Sequence, residues 1–178
     1  GGELGVGVSG YAVRLMDMLF RTGPQVSQVR TMEDIRAAKK AGRRGIVFSY
    51  NSVPHGPLSS PKAAAAPLKA AYDAGVRMMH LAYNRRNLIA DGCMERADGG
   101  LSEFGLDIIR EMNRIGIIVD TSHTGRRSTL DAAADSSKPV VASHTACRSV
   151  YEHPRGKTDE EIKAIAATGG IVGIYQVA

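Results

Sequence analysis

The 178-residue chain has only two cysteines, Cys93 and Cys147, far apart and outside any C-x-x-C pattern. That excludes a disulfide framework and a cysteine zinc knuckle. No apolar run approaches the ~20 residues that a bilayer-spanning helix requires, and Gly1-Gly2-Glu3-Leu4 has neither the basic region nor the apolar core of a signal peptide. A Gly-rich phosphate loop, a G-x-S-x-G elbow and a cysteine-nucleophile signature are all missing, which argues against nucleotide binding and acyl-enzyme chemistry. The net charge of +5 sits on dispersed pairs such as Arg43-Arg44, Arg85-Arg86 and Arg126-Arg127 without interleaved aromatics. No nucleic-acid surface is expected from such a pattern. The expectation is a soluble chain, with its compartment open between cytoplasm and export after loss of a leader; it does not start with Met.

What is present is a strand and helix rhythm in a chain 43% hydrophobic, enough for one domain with a substantial core. Helical spacing runs from Tyr11 to Arg21 and stops at Gly23-Pro24; Thr31-Met32-Glu33-Asp34 opens a second helix that ends at Gly42. Strand candidates are Gly45–Tyr50, Val76–Tyr83, Ile117–His123, Pro139–His144 and Gly170–Tyr175. Further helices are predicted up to Ala74, with Pro67 starting or bending it, from the Ser102 cap to Ile115, from near Thr124, and from the capping box at Thr158. Phe104, Ile108, Met112 and Ile115 form a stripe expected to be core, and the long polar loop 84–100 is of a kind that tends to carry function. Five apolar strands without a polar face, alternating with helices, predict an α/β fold with a parallel sheet covered on both sides. The count is about three strands short of a full (β/α)₈ barrel, which leaves an open sheet or part of a barrel.

His123 and His144 close two of these strands, with one helix's length of chain between them. A strand, helix and strand make a right-handed crossover, so both strands point the same way and both imidazoles arrive on the face where α/β folds gather ligands. Either residue alone reads better as a strand-end His satisfied by a carbonyl; their repetition at equivalent positions reverses this in favour of a shared site. Neutral imidazoles suit zinc. Asp120, three residues before His123, is placed to orient a ligand, or else to cap a helix or pair with an Arg. Arg155 follows Pro154 on the ligand-facing side, as a solvated loop Arg or as a clamp for a substrate carboxylate. His55, His80 and His153 are expected to be structural.

Gly75–Asn84, Gly100–Gly105, Arg110–Gly116, Val119–His123 and Ser143–Thr145 together resemble the renal (membrane) dipeptidase family of zinc peptidases, and the resemblance runs from about Thr31 to the end. It implies a (β/α)₈ barrel that hydrolyses dipeptides with zinc. Carried over by position, it makes His123 and His144 ligands of a zinc ion. Arg155, eleven residues beyond His144, becomes the holder of the substrate's carboxylate, with Asn84 on the same substrate-binding side. Tyr83 stands where the family has a catalytic His; a phenol donates a hydrogen bond yet stays neutral near pH 7. Asn51 stands at the place of the glutamate that bridges two zinc ions, and a neutral amide does not offset two cations as a carboxylate does.

No His here is followed by Asp two residues on, so the family's first-strand His-x-Asp pair is absent, and its late-barrel Asp falls beyond Ala178. The chain is therefore expected to be a single domain, an internal portion of a dipeptidase-like barrel lacking the first and last strands and holding one or two zinc ions. Unpaired strand edges predict dimerisation or aggregation. Two functions remain open: hydrolysis of dipeptides, in which Tyr83 and Asp120 are catalytic, Arg155 and Asn84 bind substrate and His123, His144 and Asn51 hold metal, or non-hydrolytic binding of a small carboxylate ligand or a partner.

Overall fold

The computed structural model describes Met18, Phe20, Arg21, Gly23 and residues 25–53 and 61–175. Most of the helix expected at Tyr11–Arg21, and His55, lie outside the described residues. The chain divides into two compact units, residues 1–48 and 49–178. In the first, β1 (Val26–Val29) runs parallel to β2 (Arg44–Tyr50), with Val26 opposite Arg44 and Val29 opposite Val47. Between them lies α1 (Met32–Lys40). Its start is the capping box expected at Thr31: the Thr31 hydroxyl accepts from the Asp34 backbone N–H at 3.2 Å, and the Asp34 carboxylate accepts from the Thr31 N–H at 2.9 Å. Strand β1 is not among the expected strands. With Ser27 and Gln28 at its centre it has only two apolar residues, and its pairing with β2 defines it.

The second unit carries the site. Its elements are α2 (Pro61–Asp73), β3 (Val76–His80), α3 (Glu103–Ile115), β4 (Ile118–Asp120), α4 (Arg126–Asp135), β5 (Ala142–Thr145), α5 (Asp159–Ala167) and β6 (Val172–Ile174). Pro67 lies inside α2. β3 and β4 are parallel, with His80 opposite Asp120, and β5 and β6 are parallel, with Ala142 opposite Val172. A parallel bridge joins Asp120 to Val141 and links the two pairs. There the Thr121 N–H donates to the Val141 carbonyl at 2.7 Å and the Val141 N–H to the Val119 carbonyl at 2.9 Å. Four parallel strands in chain order, each followed by a helix where the next strand exists, are the staves of a partial (β/α) barrel, and their carboxyl ends share a face.

Helices pack on the strands through buried Leu68, Ile108, Ile109, Met112, Ala132 and Ile165. Each large apolar side chain removed from water contributes about 1.5–3 kcal/mol. Ile108 and Met112 of the expected stripe are buried, whereas Phe104 and Ile115 are half-buried; Gly105 and Ile109 complete the inner face instead. Gly105 has to be glycine, because a Cβ there would lie 2.2 Å from the Ile89 carbonyl oxygen. The strands are shorter than the apolar runs suggest. β3 stops at His80 and β4 at Asp120, so His123 lies in the turn beyond β4.

Candidate active site

The turn after β4 bends sharply, and His123 there has a left-handed backbone, φ 67°. Asn84, in the long loop after β3, has φ 62°. Left-handed conformations cost energy in residues other than glycine and persist where surrounding contacts enforce them. Here the two residues hold each other: His123 Nδ1 lies 2.7 Å from Asn84 Oδ1. Since that oxygen only accepts, Nδ1 carries the proton and Nε2 presents a lone pair. The loop that brings Asn84 into position is itself pinned. Asn87 bonds the Leu81 carbonyl and the Ile89 and Ala90 N–H groups, and the Asp91 carboxylate takes the Gly99 N–H and the Arg86 guanidinium.

His144, in β5, meets that lone pair. The Nε2 atoms of His123 and His144 are 3.0 Å apart and their ring centroids 5.0 Å apart. A guanidinium N–H of Arg155 also donates to His123 Nε2, at 3.1 Å. One lone pair thus faces two N–H donors, His144 and Arg155. The Ser143 hydroxyl lies 2.7 Å from His144 Nδ1 and can donate to it or accept from it, so the His144 tautomer is reversible. Burial, followed by the charge of Arg155, pushes the His123 pKa down to about 3. Burial also lowers that of His144, so both imidazoles offer neutral nitrogen near pH 7.

Arg155 is half-buried, its guanidinium 4.8 Å from the Tyr175 ring centroid, and its Nε is buried with no hydrogen-bond partner. This unused donor leaves the guanidinium with hydrogen-bonding capacity for a further acceptor. Tyr83, half exposed, stacks on His123 at 4.0 Å between centroids. Asp120 is fully buried: its Oδ1 accepts the backbone N–H groups of Ser122 at 2.9 Å and Ser143 at 3.0 Å, tying the ends of β4 and β5 together. Burial opposes its ionisation, but His80 and these donors outweigh burial and hold the carboxyl below the usual carboxylate range. Asn51 is exposed just past β2.

One residue expected to be structural sits inside the cluster. His80 is buried, with its ring centroid 5.5 Å from that of His123 and 5.2 Å from that of His144, and its Nε2 is 3.1 Å from Asp120 Oδ2. Its apolar run places it mid-strand. Because β3 in fact ends there, opposite Asp120, it reaches the same face as the other histidines. The ligand-type atoms of His80, Asp120 and His144 all lie within 4.8 Å of one another. Both His80 ring nitrogens and Asp120 Oδ2 are buried without a hydrogen-bond partner. Imidazole nitrogens with a carboxylate oxygen make a donor set that suits a divalent transition metal, and the unpartnered atoms are consistent with one.

A family model for membrane dipeptidase (peptidase family M19) matches residues 11–178. The chain belongs to the membrane dipeptidase family. It is 33% identical over 156 residues to the dipeptidase verJ of Clonostachys rogersoniana, covering 86% of this chain and 39% of that protein. It is 42% identical over 107 residues to an uncharacterized dipeptidase of Schizosaccharomyces pombe, covering 59% of this chain and 26% of that one. Among solved structures, an amidohydrolase from Pseudomonas aeruginosa superposes with a TM-score of 0.84 at 37% identity, over 93% of this chain and 50% of its own. The probable dipeptidase PvdM of the same organism gives 0.81 at 29% identity, over 91% of this chain and 42% of its own. The chain therefore spans half or less of the length of these relatives. Among the described residues, no helix is long and apolar enough to cross a membrane.

Proposed function

We propose that this family member acts in zinc-dependent hydrolysis of dipeptides, with His123 and His144 as metal ligands and Arg155 as the anchor of the substrate's terminal carboxylate. The observation that carries the reading is the convergence on one point of the His123 lone pair, the His144 Nε2 and the Arg155 guanidinium, within 3.0–3.1 Å. A bound zinc ion supplies a Lewis acid for the peptide carbonyl and a water made acidic enough to ionise near neutral pH.

The chain's own residues do the rest. Asn84 keeps His123 in the tautomer that leaves Nε2 free, the outer-shell role that orients a metal-bound imidazole. When His144 presents its Nε2 lone pair to a cation, its proton sits on Nδ1 and the Ser143 hydroxyl accepts a hydrogen bond from it. Arg155 exchanges its N–H···His123 bond for the carboxylate and adds its unused Nε, holding a dipeptide by two parallel bonds. Tyr83, half exposed and stacked on His123, would donate from its phenol to oxygen charge developing at the carbonyl. Asp120 is fully buried, and its Oδ1, occupied by two backbone donors, holds the ends of β4 and β5 together. Asn51 is assigned no ligand role, so a single ion is favoured over a bridged pair.

The test is zinc content and turnover of a dipeptide panel by the full chain and by His123→Ala. Turnover that falls at least about 100-fold in the variant, with the fold intact, supports the reading. Turnover unchanged by the substitution removes His123 from the metal and overturns it. Specific binding of carboxylates with no hydrolysis by the zinc-loaded chain decides for the non-hydrolytic alternative.

A further inference from the structure

We infer that His80 and Asp120 complete the metal seat with His144, so that one divalent cation of the zinc class is held deeper in the sheet than the His123–His144 pair alone would place it. The inference rests on the reading of His144 as a metal ligand, but not on turnover.

His80 Nδ1, His80 Nε2 and Asp120 Oδ2 are buried without a hydrogen-bond partner. His80 is 2% exposed and Asp120 0% exposed. Inside a sheet, an imidazole whose nitrogens and a carboxylate one of whose oxygens lack hydrogen-bond partners are costly to bury. Native interiors seldom leave three such atoms side by side unless something binds there. His80 Nε2 and Asp120 Oδ2 are 3.1 Å apart, close enough for an ion pair, and neither atom has any other polar partner. Donor atoms of a tetrahedral zinc site, with bonds of about 2.0–2.1 Å, stand roughly 3.3 Å from each other. The separation of the pair is also close to one edge of such a coordination polyhedron.

Backbone register makes this edge. His80 and Asp120 are opposed in the parallel ladder at the last residue of β3 and of β4, and β5, joined to Asp120 through Val141, brings His144. Three adjacent staves thus supply three donors, from rigid elements rather than loops. Asp120 is already oriented, because two backbone N–H groups on Oδ1 turn Oδ2 toward His80. That is the outer-shell support a ligating carboxylate needs. It also supplies a negative charge that the neutral Asn51 cannot.

The experiment measures zinc affinity of the full chain by competition with a chromophoric chelator, and the visible spectrum with cobalt(II), for wild type, His80→Gln, Asp120→Asn and His123→Gln. In parallel, ring ¹⁵N signals of His80 and His144 are followed in the wild-type chain as zinc is added, which needs no variant to fold. The expected result is a loss of about tenfold or more in zinc affinity for His80→Gln and for Asp120→Asn, a changed cobalt spectrum, and joint movement of the two ring signals. Unaltered affinity in both variants with still His80 signals overturns the inference. If zinc is then lost only in His123→Gln, the seat is the His123–His144 pair and the dipeptidase reading survives alone. If zinc binding depends on His80 but the loaded chain leaves dipeptides intact, this inference stands and hydrolysis falls.

Discussion

Arg155→Met separates substrate anchoring from every other role of the cluster. The guanidinium reaches His123 Nε2 at 3.1 Å, packs near Tyr175 and keeps Nε buried without a partner, so two N–H donors are available to a carboxylate. A hydrogen bond to a charged group contributes about 1.5–3 kcal/mol, and two fully formed ones would contribute about 3–6 kcal/mol. Arg155 is half-buried and competes with water, so the lower bound of about 3 kcal/mol is the better figure, roughly a 100-fold fall in kcat/KM. The assay compares a dipeptide with its C-terminal amide. Wild type should prefer the free acid by about that factor, and Arg155→Met should lose the preference while hydrolysing the amide nearly as well as wild type does. Arg155→Lys, which keeps the charge without the planar fork, should fall between. An equal fall on both substrates would show that Arg155 works through His123 or the fold; no fall at all would remove it from the site.

Two predictions concern stability. Lys157 and Glu161 form a pair 3.1 Å apart and almost fully buried, and the Lys157 ammonium also donates to the Thr129 hydroxyl at 2.6 Å. Burial lowers the Lys157 pKa and the charge of Glu161 opposes that shift. Lys157→Met leaves Glu161 buried without its cation and should cost about 3–5 kcal/mol in urea unfolding, whereas adding Glu161→Leu should recover part of the loss despite the broken helix cap; strictly additive effects would contradict this. Asp91 has its pKa lowered from 3.8, chiefly by its hydrogen bond to Arg86 and against the effect of burial. A depressed folded value means the contribution is fully present above the unfolded value and is lost as pH falls from about 4 through the folded one. Unfolding curves at descending pH should show that loss for wild type and not for Asp91→Asn, with a weaker effect at high salt because Arg86 is 57% exposed.

How much of the fold and of the site is legible in the sequence depends on how local each signal is. Capping at Thr31, Ser102 and Thr158 is readable because it is an arrangement over three or four residues, and all three caps form. The His123–His144 repeat is readable because a crossover unit brings consecutive parallel strand ends to one face. Strand β1 is not readable: Ser27 and Gln28 interrupt its apolar pattern. The end of β3 is overrun because its apolar run continues through Leu81 and Ala82 past the last ladder partners, His80 and Asp120, whereas after Asp120 the polar Thr121 and Ser122 follow.

By itself, the order of residues determined the alternation of elements, the parallel sheet, two imidazoles on one face and Arg155 in the loop beyond the second of them, since each follows from periodicity or chain order. Only the tertiary structure decided that His80 belongs with them. Its neighbours along the chain, Met79 and Leu81, are ordinary core residues. The partner that gives it meaning, Asp120, is forty positions away and is reached only through the register of two strands.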